Sequence, residues 1–145
     1  MKNYHASINI RAPRETIWAI LTDAAGFPTW DPGVERVEGR IAPGEQVTVV
    51  TRASPNRAFP ARVTEFTPNE RMTWTGGMPL GLFKGVRSFA LTPRNDGSVD
   101  FTLQEVYSGP LLPLIGRSIP DLTQAFRDTV NGLKAAAENA AATNR

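Results

Sequence analysis

Ile8-Asn9-Ile10-Arg11-Ala12-Pro13, running on to Gly26-Phe27-Pro28-Thr29-Trp30-Asp31-Pro32, is the stretch that decides how this chain folds. Ile8 and Ile10 alternate with Asn9 and Arg11, the period of a half-buried strand over residues 4–11. Pro13 suits the first turn of a helix, where the N–H that proline lacks has no partner in any case. Ile17, Ile20 and Leu21 then make an apolar stripe with Trp18 beside it, and Thr22-Asp23 and Gly26 end it. Residues 25–30 read as a second, very short helix, because Pro28 and Pro32 forbid a longer one.

Beyond Pro32 the pattern is strands. They fall at 34–40, at the β-branched run 46–52, and at 58–66, 71–75, 84–92 and 98–108. Turns are expected at Pro43-Gly44, Ser54-Pro55-Asn56, Pro68-Asn69-Glu70 and Arg94-Asn95-Asp96-Gly97. Successive strands joined by short turns predict an antiparallel meander. From Leu111 the period becomes helical: Ile115, Ile119, Leu122, Phe126, Val130, Leu133 and Ala137 share one face. Ser118 followed by Asp121 matches capping spacing, so either a new helix starts there or Pro120 kinks a longer one.

The length of 145 residues fits one domain, 1–145, large enough to need no covalent staple. There is no cysteine, hence no disulfide or thiol chemistry, and the lone histidine, His5, argues against a histidine metal site. No cofactor is implied. Sixteen basic residues against 14 acidic ones leave +2, and the basic residues are scattered rather than striped with aromatics, which argues against nucleic acid. No charged-then-apolar leader precedes the first strand, and no apolar run approaches the ~20 residues of a membrane span. A cytoplasmic protein without stable membrane insertion is therefore expected.

One helix about 10 Å across cannot cover roughly six or seven strands spaced ~4.8 Å apart unless the sheet curls around it. The gap is filled by aromatic side chains (Phe59, Trp74, Phe83, Phe89, Phe101 and Phe126 are the candidates) or it remains a cavity. Polar residues on the inner face are the sharpest clue to chemistry. In 98–108 the odd positions Val99, Phe101 and Leu103 are apolar, so Glu105 and Tyr107 continue an inward row. Phe89 and Leu91 face the same way, which brings Arg87 inward. If Leu91 pairs with Val99, Arg87 sits opposite Leu103 and diagonal to Glu105. Such a group either anchors the polar end of an apolar ligand, satisfies itself as an ion pair, or works catalytically, with Tyr107 as proton donor and Glu105 as base. Trp30 reads as core or pocket wall, Asp31 as a cap of the following turn, and His5 as a surface residue. Arg52 and Arg62 face inward only if their strands carry bulges. The apolar loop 76–83 is either a gate or a small satellite core.

This order of elements resembles the helix-grip superfamily, often called SRPBCC, which includes START domains, the birch pollen allergen and the polyketide cyclase/dehydrase proteins. The strand into the Pro13 helix with Trp18, then Trp30-Asp31-Pro32 where the family often has tryptophan, a polar residue and proline, carry the resemblance, which extends over nearly the whole chain. It is nearest the polyketide cyclase/dehydrase branch. It implies an α+β fold: a curved antiparallel sheet around a long C-terminal helix, two short N-terminal helices and an internal apolar cavity. It places loop 76–83 opposite the start of the terminal helix. It implies binding or transport of a hydrophobic small molecule of lipid, polyketide or isoprenoid type. Trp30, Trp74, Phe83, Arg87, Phe89, Phe101, Leu103, Glu105, Tyr107, Ile119, Leu122 and Phe126 are the expected ligand-binding residues. The alternatives are a polyketide aromatase/cyclase or dehydratase, with Arg87, Glu105 and Tyr107 steering enolisation or dehydration, and a co-chaperone-type interaction module.

Overall fold

Strands β1 (Lys2–Ile10), β2 (Val34–Gly39), β3 (Gln46–Thr51), β4 (Ser54–Thr67), β5 (Arg71–Gly77), β6 (Lys84–Pro93) and β7 (Val99–Ser108) form one antiparallel sheet in the computed structural model, which describes residues 2–143. Their order is β1-β7-β6-β5-β4-β3-β2. Helices α1 (Arg14–Leu21) and α2 (Phe27–Trp30) lie between β1 and β2 in the chain, so they link the two edges of the sheet. Register shifts between Val34 and Arg36, Val49 and Thr51, and Val63 and Glu65 bend the β2–β5 half.

The turn expected at Ser54-Pro55-Asn56 is displaced. Thr51 pairs with Ser54, so Arg52 and Ala53 make the turn and β4 is longer than its pattern suggested. Pairing with β5 begins only at Arg62, so the first part of β4 has a neighbour on one side alone. That is where sheets tolerate proline, and Pro55 and Pro60 both lie there. Phe59 is consequently no core residue: it is exposed, with the Arg57 guanidinium 5.5 Å from its ring. Bulges occur close to Arg52 and Arg62, but both side chains face outward. Arg52 Nε donates to the Pro32 carbonyl (3.0 Å) and Arg62 Nη1 to that of Gly44 (2.6 Å).

The C-terminal segment is broken, not kinked. A one-turn helix α3 (Leu112–Ile115) and a 3-10 turn (Gly116–Ser118) precede the main helix α4 (Thr123–Thr143). The Asp121 carboxylate accepts the Thr123 N–H (3.0 Å) and hydroxyl (2.6 Å), organising the restart. The Ser118 side chain expected to cap it lies outside the described residues. Ile115 and Ile119 therefore do not belong to the α4 stripe. That stripe is Phe126, Thr129, Val130, Leu133 and Ala137.

These residues face a core of Met72, Trp74, Phe89, Leu91, Phe101 and Leu103 from the sheet, closed by Ile17, Trp18 and Leu21 of α1 and Phe27 and Trp30 of α2. Concavities of about 440 and 490 Å³ open elsewhere. One lies between β1 and α4, lined by His5, Ser7 and Arg127; the other is lined by Arg11, Pro13 and Asp96. Both lie away from the space between α4 and the concave face of the sheet. Rings in contact line the interior: Phe27–Trp30 at 4.6 Å, Phe27–Trp74 at 5.8 Å and Trp74–Phe89 at 4.9 Å.

Gly132 lets α2 and α4 touch. A Cβ there would stand 1.9 Å from the Trp30 carbonyl oxygen. Alanine favours a helix interior over glycine by ~1 kcal/mol. Gly132→Ala is nevertheless expected to lower stability by about 1–3 kcal/mol through overpacking, read as a lower urea midpoint at unchanged slope. Phe126 is buried between Tyr4 (6.0 Å between rings) and the Arg87 guanidinium (5.1 Å). Phe126→Ala is expected to cost about 3–5 kcal/mol in the same measurement.

Candidate functional site

Two strands place the central ion pair. Arg87 on β6 lies directly opposite Glu105 on β7, because Leu91 pairs with Phe101 and Pro93 with Val99. The expected Leu91–Val99 pairing was two residues off. The turn is wider than a tight hairpin, spanning 94–98 with the Arg94 N–H on the Ser98 carbonyl (2.8 Å). A shift of two preserves which side each residue faces, so Arg87 and Glu105 still share the concave face. Arg87 Nε and Nη2 both donate to one oxygen, Glu105 Oε2, at 2.9 and 2.6 Å. The carboxylate side chain keeps 13% of its surface exposed and the guanidinium 28%, so water still reaches the pair.

The same pairing continues sideways. Trp74 on β5 is opposite Arg87, and Tyr4 on β1 is opposite Glu105, giving a row Trp74–Arg87–Glu105–Tyr4 across four strands. The next row is Gly76–Gly85–Tyr107–Lys2. Without a side chain at Gly85, the Tyr107 ring lies over it: a Cβ there would be 3.1 Å from Tyr107 Cε1. Tyr107 also stacks on Phe83 (5.7 Å, 18°) and meets Tyr4 edge-on (6.4 Å). Burial, and then the neighbouring Glu105 charge, push the Tyr107 hydroxyl well above its ordinary value, with Arg87 only partly opposing. Tyr107 is a protonated donor at any physiological pH.

A second polar group enters from the helices. Asp31, at the end of α2, is buried; its Oδ1 accepts the Gly33 N–H (3.1 Å), which caps the following turn. Both carboxylate oxygens lie 3.2 Å from the Thr129 hydroxyl of α4. That hydroxyl is also 3.0 Å from the Ala125 carbonyl, and its single proton cannot serve both. Burial raises the Asp31 pKa above 3.8, and the Gly33 hydrogen bond, the Arg87 charge and Thr129 offset only part of this. Among the described residues, two further side-chain polar atoms are buried without a partner: the indole N–H groups of Trp30 and Trp74. Buried donors are nearly always satisfied, so two close neighbours of one phenylalanine, Phe27, lacking acceptors is unusual.

The family profile described as polyketide cyclase / dehydrase and lipid transport matches residues 1–138. The chain belongs to this family. No curated protein matches the sequence. Among solved structures, hypothetical protein jhp0584 of Helicobacter pylori superposes with a TM-score of 0.77 at 15% identity, covering 94% of this chain and 88% of that one. Protein MLL2253 of Mesorhizobium loti gives 0.73 at 16% identity, covering 95% and 98%. The di-domain ARO/CYC StfQ from the steffimycin biosynthetic pathway gives 0.70 at 15% identity, covering 97% of this chain and 52% of that one. These likenesses carry the helix-grip fold.

In this polyketide cyclase/dehydrase family member, direct contacts or strand pairing join Trp74, Phe83, Arg87, Glu105, Tyr107 and Phe126 of the expected site residues. Trp30 reaches Trp74 through Phe27. Phe89, Phe101 and Leu103 are fully buried packing residues on the same face. Leu122 is half-buried against the core just before α4, and Ile119 lies in the connection that precedes it. His5 is exposed on β1. Loops 78–83 and 109–115 are tied by the Leu111 N–H on the Leu82 carbonyl (2.9 Å). Thr129 was missed; its position three residues after Phe126 on the buried stripe was the available signal.

Asp31 gives a pH signature. Between 3.8 and its raised pKa, the folded chain holds a proton that the unfolded chain has released. The Asp31 contribution to stability therefore falls as pH rises through that window and stays low above it. Asp31→Asn removes this dependence. Urea unfolding at stepped pH is expected to show the unsubstituted protein losing stability relative to Asp31→Asn as pH rises from about 4 towards neutrality. A difference constant with pH would contradict the assignment.

Proposed function

We propose that this protein binds a hydrophobic small molecule between α4 and the concave face of the sheet, with the ligand's polar end at Arg87, Glu105 and Tyr107. The class is a lipid, polyketide or isoprenoid carrying at least one oxygen acceptor. The observation that carries this reading is the pair of unpartnered indole N–H groups, that of Trp74 in the row with Arg87 and Glu105 and that of Trp30 on α2, which reaches Trp74 through Phe27. Each unsatisfied buried donor costs ~1–3 kcal/mol, which a ligand carbonyl or hydroxyl would recover. Entry requires rings such as Phe126 or Phe83 to swing aside, and aromatic side chains at the loop end of the site suit that movement.

A second reading is an aromatase/cyclase acting on a poly-β-ketone, and one observation favours it. Tyr107 is held protonated beside a carboxylate and a guanidinium. Glu105 would take a proton from the carbon between two ketones, and the enolate carbon would attack a second carbonyl of the same chain. Arg87 would polarise that carbonyl and Tyr107 would protonate the resulting alkoxide. Loss of water would complete an aromatic ring. StfQ is described as an ARO/CYC, which makes poly-β-ketones sensible substrates to try.

Native mass spectrometry of the protein purified from its own host tests the first reading directly: a small molecule should copurify. Glu105→Gln then separates the roles, because it keeps shape and removes charge. The expected outcome is loss of the copurifying molecule with little change in melting temperature. A clear fall in melting temperature with the molecule retained would make the pair structural and overturn the anchor. Retained binding with lost turnover of a poly-β-ketone would favour the cyclase.

A further inference from the structure

The loop between β5 and β6 and the segment after β7 meet at one end of the sheet. Besides the Leu111–Leu82 hydrogen bond, Gly109 lies so close to this loop that a Cβ would stand 2.6 Å from the Leu82 carbonyl oxygen. Large apolar side chains project outward from the joined loops. Leu80 is 96% exposed and Leu114 72%, and Met78 and Leu82 are exposed beside them. Leu80 is also held at φ 62, in the left-handed region where a leucine is disfavoured and glycine is not. Folding gains nothing from a leucine at that position, since its side chain packs on almost nothing. An exposed apolar side chain on a strained backbone points to a use outside the fold.

Charge narrows what that use is. Residues 76–86 and 109–120 contain Lys84 and Arg117 and no carboxylate; the next residue, Asp121, lies in the field of Lys2 and accepts from Thr123. Lys2 joins them, its Nζ donating to the Gly116 carbonyl (3.3 Å). Elsewhere the two signs are interspersed, as in Glu35, Arg36 and Glu38 on β2. Leucine tips flanked by Lys84 and Arg117 suit a surface with negative charge outside and an apolar layer beneath.

We infer that this end of the molecule docks reversibly on a lipid bilayer bearing anionic headgroups. Leu80, Leu114, Met78 and Leu82 enter the interfacial layer, and Lys84 and Arg117 lie at the phosphates. The attachment is peripheral: among the described residues no helix is long and apolar enough to span a membrane. The inference stands on the exposed loops and their charge and does not depend on ligand binding at Arg87.

The test is flotation of the full chain with vesicles of phosphatidylcholine alone and of phosphatidylcholine mixed with phosphatidylglycerol. Binding is expected on the mixed vesicles, weakly on the neutral ones, and weakening as salt is raised. Lys84→Ala and Arg117→Ala should each reduce binding about fivefold. Leu80→Gly is the decisive variant, because it relieves the left-handed strain and should melt no lower than the parent. It should lose about tenfold in vesicle binding. No binding, equal binding to both vesicle types, or Leu80→Gly binding like the parent would each overturn the inference. A dimer on size exclusion that Leu80→Gly dissolves, with no vesicle binding, would make the patch a protein interface and overturn it too.

Discussion

The Trp30 carbonyl rests against Gly132, and the polar half of the site depends on that contact. Because no side chain intervenes, the end of α2 lies directly on α4. This closeness brings Asp31 within reach of Thr129, turns the Trp30 ring into the core beside Phe27, and puts a buried carboxylate in the field of Arg87. Pro28 and Pro32 hold α2 to one turn, so the chain leaves α4 at once and enters β2. A longer α2 or a larger residue at 132 would carry Asp31 away from the interior.

The sheet contributes the other half by register alone. Four neighbouring strands deliver Trp74, Arg87, Glu105 and Tyr4 in one line, with no loop involved. Groups set on paired strands are held more firmly than groups on loops. The interior that results is closed by rings and contains charges, hydroxyls and donors in unequal supply: Asp31 has too few good donors and the two indoles have no acceptor. A core built only for stability would carry apolar residues at such places. Membership of the polyketide cyclase/dehydrase and lipid transport family agrees with a site of this kind without naming its ligand, since one fold hosts many chemistries.

Parity made the Arg87–Glu105 pair legible. Alternation in β7 fixed which face Glu105 takes, and an error of two residues in pairing left that face unchanged. The strands themselves and the Phe126–Ala137 part of the α4 stripe were legible for the same reason, as both are periodic. The misreadings fell where period is silent. Pro55 looked like a turn residue, because nothing local says that β4 outruns β5. Ile115 and Ile119 continued the helical spacing although Asp121 restarts the helix after them. Phe59 looked like core because its strand was assumed to be covered. The Asp31–Thr129 contact joins residues 98 apart, and the lack of an indole acceptor is a property of surroundings, which composition does not encode.

The overhang of β4 beyond β5 has a colloidal consequence. An open strand edge is a template on which other chains add, and long flat edges are where aggregation begins. Here the overhanging stretch carries Pro55 and Pro60, which offer no N–H to an incoming strand, and Arg57, which brings charge to it. The residues that spoil the β signal in the sequence thus work against a neighbour's strand adding to the half-paired part of the sheet.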